Sequence, residues 1–293
     1  MAELIILQPR LRDVGGGKVR RALPATERRS VGPFVFFDHF GPEQLAPFEL
    51  RDVRPHPHIG LSTVTYLLEG SIVHRDSLGT VQTIEPGAIN WMTAGRGIAH
   101  SERTPVALAS QPRRTHGLQL WVGLPRAQEE RAPIFAHTAA SVIPSFDRDR
   151  AKLRLLVGRA WGVESPVATS SATVYVDIVL GENGSLDIPP LATERALYGL
   201  DAPYEIAGRA VEPFAMAVLP SGTTARVTSK AAARLVLIGG EPLDGPRFIW
   251  WNFVSSRKEL IVAAAEQWAK DHSPQIPGET EWIDPPDRPT FRE

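Results

Sequence analysis

Residues 56–70 read HPHIGLSTVTYLLEG, and this stretch decides the fold class. Its centre, residues 62–68 (STVTYLL), is rich in β-branched and aromatic residues and ends at Glu69-Gly70, which is typical of a strand followed by a turn. Similar short segments, separated by Gly and Pro breaks, lie at residues 118–122, 152–157, 173–180, 214–219 and 234–238. Many short strands at this spacing predict an all-β fold, a sandwich or barrel, rather than alternating strands and helices.

The chain is long enough for two domains of ordinary size, since it has 293 residues, of which 43% are hydrophobic and 22% charged. The segment 133–150 changes from strand-like to mixed polar sequence and contains prolines, so it predicts a boundary. We therefore expect an N-terminal domain at 1–140 and a C-terminal domain at 150–245, with a similar rhythm of strands and turns. Residues 246–293 are expected to form a helix and a proline-rich tail that packs back on the barrels.

Charge and cysteine content exclude several classes of function. The formal net charge of -1 offers no field for nucleic acid or an anionic membrane. No stretch approaches the roughly 18 apolar residues of a membrane span, and we expect a soluble, cytoplasmic protein without membrane or direct nucleic-acid contact. The chain has no cysteine, which excludes disulfides, thiolate-bound metals and a cysteine nucleophile. Any metal must therefore be held by nitrogen and oxygen.

A helix is predicted towards the end of the chain. Ser256-Arg-Lys-Glu259 has the pattern of a capping box, in which the serine and glutamate side chains bind each other's backbone N–H groups. The apolar stripe that follows has helical spacing and consists of Leu260, Ile261, Ala264, Ala265 and Trp268. We expect the helix to end near Asp271 and the tail after it to be extended.

Two pairs of polar residues can aim their side chains at one centre. Residues i and i+2 of a strand point to the same face, so His56 pairs with His58 and His100 pairs with Glu102. Two such pairs on facing strands supply three imidazole nitrogens and one carboxylate. This set suits Fe(II), Mn, Ni, Cu or Zn and leaves one or two positions for water, substrate or oxygen. An isolated His-x-His is also common at structural or surface positions, and that alternative stays open at this point.

The other histidines predict no second centre. Seven of the eight precede residue 140 and none lies between 138 and 271, so only the first half can build a histidine site. His74 lies in HRDSLG, whose composition predicts an exposed turn. His39 follows an apolar run, and we expect it to pack in the interior or to hydrogen-bond Asp38.

Residues 56–70 and WMTAGRGIAHSE at 91–102 resemble the two signature motifs of the pirin family within the cupin superfamily. The resemblance implies a bicupin: two stacked β-barrels or jelly rolls with a C-terminal helix, and a metal, usually iron, in the N-terminal barrel. The ligands that it implies are His56, His58, His100 and Glu102. Many pirins have Arg-Gly-Phe-Glu where this chain has IGLS at 59–62, which predicts a less charged pocket mouth.

Some members of this family are quercetin 2,3-dioxygenases, which open the central ring of a flavonol with O2 and release carbon monoxide. The resemblance therefore implies an iron-dependent dioxygenase whose partners are a flavonol-like aromatic substrate and O2. A base must take the substrate's hydroxyl proton, and Glu102 is the candidate if it can loosen from the metal. The apolar residues Val64, Trp91 and Ile98 are expected to exclude water. Eukaryotic members act as iron-dependent transcriptional co-regulators, so the alternative is a non-enzymatic redox sensor that binds a partner protein. A small-ligand-binding barrel with incidental metal is the second alternative.

Overall fold

The computed structural model describes residues 4–14, 17–287 and 289. Within these residues the chain forms short strands and few helical turns. The strands are β1 (Ile5–Leu7), β2 (Arg10–Asp13), β3 (Lys18–Leu23), β4 (Phe34–Leu45), β5 (Val53–His58), β6 (Leu61–Glu69), β7 (Ile72–Asp76), β8 (Val81–Ile84), β9 (Ile89–Thr93), β10 (Ile98–Arg103), β11 (Arg113–Gly123), β12 (Ile134–Thr138), β13 (Ser145–Arg148), β14 (Ala151–Val157), β15 (Arg159–Ala160), β16 (Val163–Glu164), β17 (Thr173–Leu180), β18 (Gly184–Ile188), β19 (Glu194–Gly199), β20 (Tyr204–Ile206), β21 (Arg209–Val211), β22 (Met216–Leu219), β23 (Ala225–Ser229), β24 (Ala233–Gly240), β25 (Phe248–Trp250) and β26 (Phe253–Ser255). The helical segments are α1 (Val106–Ala109), α2 (Lys258–Asp271) and the 3-10 turns η1 (Arg126–Gln128) and η2 (Ala140–Val142).

Each strand segment that the sequence predicts corresponds to an observed strand, namely β6, β11, β14, β17, β22 and β24. The observed strands extend further in several cases, because backbone pairing continues beyond the apolar run that marks a strand in the sequence. No helix in the described part of the chain is long and apolar enough to cross a membrane.

The chain divides into two compact units that are discontinuous in sequence. The histidine unit takes its described residues from Arg12–Val19, His39–His137 and Leu243–Glu293, and it contains all eight histidines. The second unit takes its described residues from Met1–Leu11, Arg20–Asp38 and Thr138–Pro242. The contiguous domain ranges expected from the sequence stay a prediction.

In the histidine unit, two groups of paired strands position the site. One sheet has the order β5-β10-β7-β8, so β5 is an edge strand. Its position explains Pro55 and Pro57, because proline cannot donate to a strand ladder and is tolerated at an edge. In a larger sheet, β12, β9, β6 and β11 lie side by side in that order.

The core of the second unit comes from apolar residues that alternate along neighbouring strands. Leu153 of β14 pairs with Ile178 of β17, which pairs with Leu235 of β24, and all three side chains are fully buried. Directly paired residues share a face of a sheet, so such rows join into one apolar cluster. With no histidine in its residues, this unit cannot repeat the site of the histidine unit.

Helix α2 confirms the predicted helix and its end, but the predicted capping box is wrong. Ile261, Ala265 and Trp268 are buried along one face, and the helix ends at Asp271. At its start, Arg257 occupies the N-cap position without a side-chain cap. The Ser256 hydroxyl instead donates to Glu129 Oε2 at 2.9 Å, and its backbone N–H donates to the same carboxylate. The Ser256 hydroxyl, which the local spacing predicted to cap the helix, therefore binds the buried carboxylate of Glu129 instead.

Candidate metal centre

Three of the four predicted ligands lie together on β5 and β10. The two strands pair antiparallel, with His100 opposite His56 and Ile98 opposite His58. His56, His58 and His100 are all buried, and each offers a ring nitrogen within 4.8 Å of the nitrogens of the other two. The shortest of these separations is 3.1 Å, between His58 Nε2 and His100 Nε2. The sequence prediction that these histidines converge is confirmed.

The outer contacts of β10 show which way Glu102 points. Ser101 and Arg103 both donate to the carboxylate of Glu279, at 2.7 and 3.1 Å for Oε1, so they share one face of the strand. His100 and Glu102 therefore share the other face. Against β5 the register shifts between His100 and Glu102, and such a bulge re-aims the side chain that follows it. Glu102 as a fourth ligand stays a prediction, because the group with mutually close ligand atoms consists of the three histidines.

Hydrogen bonds to the Nδ1 atoms set the tautomers of two of the histidines. His56 Nδ1 lies 2.8 Å from the Arg54 carbonyl oxygen, and His58 Nδ1 lies 2.9 Å from the carbonyl oxygen of Asn252. A carbonyl only accepts, so each Nδ1 carries the proton and each Nε2 keeps a free lone pair. Carbonyl partners of this kind orient metal-ligating histidines in proteins.

Burial keeps these imidazoles neutral. It is the main reason that the pKa of His56 falls to about 4; the hydrogen bond to the Arg54 carbonyl opposes the shift and the nearby His74 adds to it. Burial also holds the pKa values of His58 and His100 well below their ordinary value, and the neighbouring histidines add to the effect. Neutral rings are the form that binds metal, so the cluster is ready to coordinate at neutral pH without losing protons.

The histidine cluster fits a metal ion. With Nδ1 of His58 protonated, its Nε2 lone pair points at His100 Nε2 at 3.1 Å. Two nitrogen ligands about 2.1 Å from a shared ion have a similar separation when they subtend roughly a right angle. Glu102 adds a second observation, because its Oε1 is buried and has no hydrogen-bond partner in the residues that the structure covers. Burial raises the pKa of this carboxyl to about 7, since no charged partner among those residues offsets the loss of solvent around it.

His74 contradicts its predicted exposed turn. It lies on β7, and its side chain is 3% exposed. Its Nε2 lies 3.0 Å from Asp76 Oδ2, its Nδ1 lies 3.4 Å from His100 Nδ1, and its ring stacks on Phe135 with centroids 4.4 Å apart. The turn begins only after Asp76. His74 and Asp76 are themselves an i, i+2 pair, so the signal that found the other two pairs was present here too.

His39 is buried, as expected. Its Nε2 lies 2.7 Å from His116 Nε2, and the two rings stack with centroids 4.9 Å apart. In the second unit, the Asp38 carboxylate accepts two hydrogen bonds from the Arg21 guanidinium, at 2.8 and 2.7 Å. The partner of His39 comes from β11, and nothing in the local sequence identifies it.

The segment 59–62 is buried and uncharged, and its effect on a pocket mouth stays a prediction. Ile59, Leu61 and Ser62 are all buried. Ile59 packs in an apolar cluster with Phe253 and helix α2, and the Ser62 hydroxyl bonds to the hydroxyl of Thr93 at 2.9 Å. These uncharged residues therefore serve packing in the interior.

Trp121 identifies the face of β6 that is directed toward the histidines. Its ring meets His58 edge to face, with centroids 5.2 Å apart, and it pairs with Thr63. Val64 and Trp91 pair with each other and lie on the opposite face, because side chains alternate along a strand. The expectation that Val64 and Trp91 exclude water from the histidine cluster is therefore wrong. Trp121 is the large apolar residue that lies beside the cluster.

Polar side chains follow Trp121 on the same face. Thr65 pairs with Gln119 and with Asn90, and the Thr65 hydroxyl donates to Gln119 Oε1 at 2.7 Å. Asn90 is buried, and its Nδ2 has no hydrogen-bond partner among the described residues. Ile98 lies in a cluster with Phe135, the ring that stacks on His74, and its role in excluding water stays a prediction.

Comparison with known proteins gives the family. Residues 16–122 match the pirin family, and residues 175–273 match the pirin C-terminal cupin domain. The chain is 43% identical over 267 residues to a pirin-like protein of Caulobacter vibrioides, across 90% of this chain and 92% of that protein. It is 33% identical to a quercetin 2,3-dioxygenase of Acinetobacter baumannii, whose crystal structure superposes with a TM-score of 0.92 across 99% of this chain and 97% of that one.

A more distant solved structure supports the fold alone. A bacterial pirin of Escherichia coli, in complex with nickel(II), is 15% identical and superposes with a TM-score of 0.64, across 82% of this chain and 100% of that one. The all-β bicupin fold predicted from the sequence is confirmed. From its matched domains and its relatives, the chain belongs to the pirin family.

Proposed function

We propose that this pirin is a metal-dependent dioxygenase that opens the central ring of a flavonol such as quercetin with O2 and releases carbon monoxide. The observation that carries the proposal is the cluster of three buried, neutral histidines with two Nε2 lone pairs left free by carbonyl-bound Nδ1 atoms. The similarity to the quercetin 2,3-dioxygenase of A. baumannii across nearly the whole chain supports this reaction class.

The residues that would hold the metal are His56, His58, His100 and Glu102. We propose iron(II), the metal that the family resemblance implies, and Mn, Ni, Cu or Zn would also accept three nitrogens and one carboxylate. When bound, the metal would lower the pKa of a coordinated hydroxyl group and bring the substrate and O2 together. The single carboxylate would keep the site's net charge positive with a divalent ion, which favours an anionic substrate.

Glu102 is the proposed base for the flavonol's hydroxyl proton. Its Oε1 is buried without a partner, so it is free to accept a hydrogen bond from a substrate. Burial raises its pKa to about 7 in the metal-free protein. A bound metal would lower this pKa, so Glu102 would take the proton once its contact with the metal loosens. In this role Oε1 would take the hydroxyl proton and hold it while the ring opens.

The face that begins at Trp121 matches a hydroxylated aromatic substrate. The Trp121 ring borders His58, and an indole offers a flat apolar surface for a planar ring system. Thr65, Gln119 and Asn90 follow on the same face, and the unpaired Asn90 Nδ2 is a donor for a substrate oxygen. A flavonol presents both a flat ring system and several hydroxyl groups.

The test combines metal content with turnover. Protein purified without an affinity tag is analysed for metal, mixed with quercetin under anaerobic conditions and then exposed to air. We expect loss of the flavonol absorbance over many turnovers, with O2 uptake and carbon monoxide release. His56→Ala and Glu102→Ala should lose metal and turnover, whereas the control Glu266→Ala, which replaces an exposed residue on α2, should keep both.

Two outcomes would overturn parts of this proposal. If His56→Ala retains stoichiometric iron, the assignment of the metal ligands is wrong. If the wild-type protein is fully loaded with metal and does not turn over any flavonol in a panel, the enzymatic role is wrong and the redox-sensing regulator becomes the better account.

A further inference from the structure

His100 differs from the other two histidines of the cluster in what its Nδ1 meets. His56 and His58 each donate to a backbone carbonyl. His100 Nδ1 instead faces another imidazole nitrogen, Nδ1 of His74, at 3.4 Å. The opposite ring nitrogen of His74 lies 3.0 Å from Asp76 Oδ2. Asp76, His74 and His100 thus form a linear series of polar contacts that ends at the centre.

The far end of this series is held rigidly. Asp76 Oδ1 accepts the backbone N–H groups of Leu78 at 2.9 Å and Thr80 at 3.0 Å, and the Asp76 side chain is fully buried. These bonds leave Oδ2 directed at His74. The His74 ring is also fixed by stacking on Phe135, with ring planes 22° apart. Neither side chain can turn away without breaking buried contacts.

The donor and acceptor roles then follow in order. A carboxylate only accepts, so the proton of a neutral His74 ring lies on Nε2 and its Nδ1 carries a lone pair. That lone pair accepts the proton of His100 when it lies on Nδ1. The competing arrangement, in which His100 Nε2 donates to His58 Nε2 at 3.1 Å, is removed once a metal ion occupies the Nε2 lone pairs. The Nε2 of His100 is left without a proton, and it is the atom 3.1 Å from His58 Nε2.

We infer that His74 and Asp76 are a positioning pair that fixes the tautomer and ring orientation of His100 so that its Nε2 is available as a metal ligand. The inference rests on the metal-binding part of the proposed function and not on the reaction. His74 and Asp76 do for His100 what two backbone carbonyls do for His56 and His58. Their loss should act on metal binding through His100, without removing a ligand.

The experiment measures Co(II) binding to the metal-stripped full-length protein by competition with a chelator, together with the visible absorption spectrum of the bound ion. His74→Phe keeps a flat ring against Phe135 but offers no acceptor, and it should weaken Co(II) binding by about 10- to 100-fold and alter the spectrum. His74→Asn places a carbonyl oxygen near the position of Nδ1 and should restore most of the affinity. The control His137→Phe removes an exposed histidine and should bind Co(II) like the wild type.

A second measurement is independent of every variant. The imidazole 15N signals of the Zn(II)-loaded wild-type protein report which nitrogen of His100 carries the proton, and we expect Nδ1. A proton on Nε2 would overturn the inference, and so would wild-type Co(II) affinity in a folded His74→Phe. If His74→Phe does not fold, the 15N signals of the wild type and the Co(II) affinity of Asp76→Asn decide the question. Absence of flavonol turnover alone would refute the enzymatic role and leave this positioning pair untouched.

Discussion

Replacing Glu102 by glutamine should stabilise the metal-free protein at alkaline pH and weaken metal binding at the same time. The glutamine side chain has nearly the same shape as the protonated carboxyl but cannot ionise. In the metal-free protein Glu102 is a half-buried acid whose Oε1 is buried without a partner among the residues described, so its ionisation is opposed by burial. A metal ion, by contrast, would be bound by the ionised, negatively charged form of Glu102.

The magnitude follows from the pKa of Glu102, which burial raises from 4.5 to about 7. The folded protein therefore binds the proton more tightly than the unfolded chain between these two values. Stability contributed by the protonated carboxyl is fully present below pH 4.5 and is lost as the pH rises through about 7. At 1.36 kcal/mol per pH unit, the full cost above this range is about 3 kcal/mol.

The assay is urea unfolding of metal-stripped protein, followed by tryptophan fluorescence at low and at high pH. At pH values near 4.5 the wild type and Glu102→Gln should have similar free energies of unfolding, and above pH 8 the variant should be more stable by about 3 kcal/mol. The histidines titrate alike in both proteins, so their contribution cancels in this comparison. Glu266→Gln, at an exposed position on α2, is the matched control and should show no such pH-dependent difference.

Parallel unfolding free energies of wild type and Glu102→Gln across the whole pH range would refute the reasoning. That result would mean that the carboxyl is solvated or already paired in solution. With metal present the sign should reverse, because the variant loses a negatively charged ligand, and a Glu102→Gln protein that binds Co(II) as tightly as the wild type would exclude Glu102 from the metal site.

Three further substitutions test how the strands of the histidine unit are held. Gly60 has φ +68 and a Cβ there would lie 1.9 Å from a backbone carbonyl oxygen, whereas Gly79 has φ +86 with open space around it. In urea unfolding, Gly79→Ala should cost about 1 kcal/mol for its left-handed backbone and Gly60→Ala several times more; equal costs would refute the steric argument. Glu279→Ala removes the acceptor of Ser101 and Arg103 and should cost about 2 kcal/mol at neutral pH. Although burial opposes ionisation, these hydrogen bonds lower the pKa of Glu279, so its contribution should fade as the pH falls through that lowered value; a cost that is constant with pH would contradict this account.

Local patterns were sufficient for the strands and for the convergence of the histidines. Alternation and β-branched residues predict β6, β11, β14, β17, β22 and β24, and the i, i+2 rule brings His56, His58 and His100 together, because side-chain direction in a strand depends on the strand's own backbone. The same holds for α2, whose apolar stripe and end near Asp271 come from helical periodicity. These features depend on the local sequence and not on the tertiary contacts that each side chain makes.

Features that depend on partners distant in sequence could not be predicted in this way. Local spacing predicts that Ser256 caps helix α2, yet the Ser256 hydroxyl donates to Glu129, which is 127 residues away. Val64 and Trp91 lie near the signature motifs, but only the pairing of Thr63 with Trp121 shows which face of β6 meets His58. Sequence distance says nothing about which of two faces is turned to a site.

The amino-acid sequence alone determined that this protein is all-β and which histidines can share a centre, since both follow from the period of a strand. The tertiary structure decided the chemical state of that centre. The Asn252 carbonyl that sets the tautomer of His58 is 194 residues away from it, and His74 joins His100 through the pairing of β7 with β10. Proton positions and pKa values depend on what surrounds a side chain, and those surroundings exist only once the chain has folded.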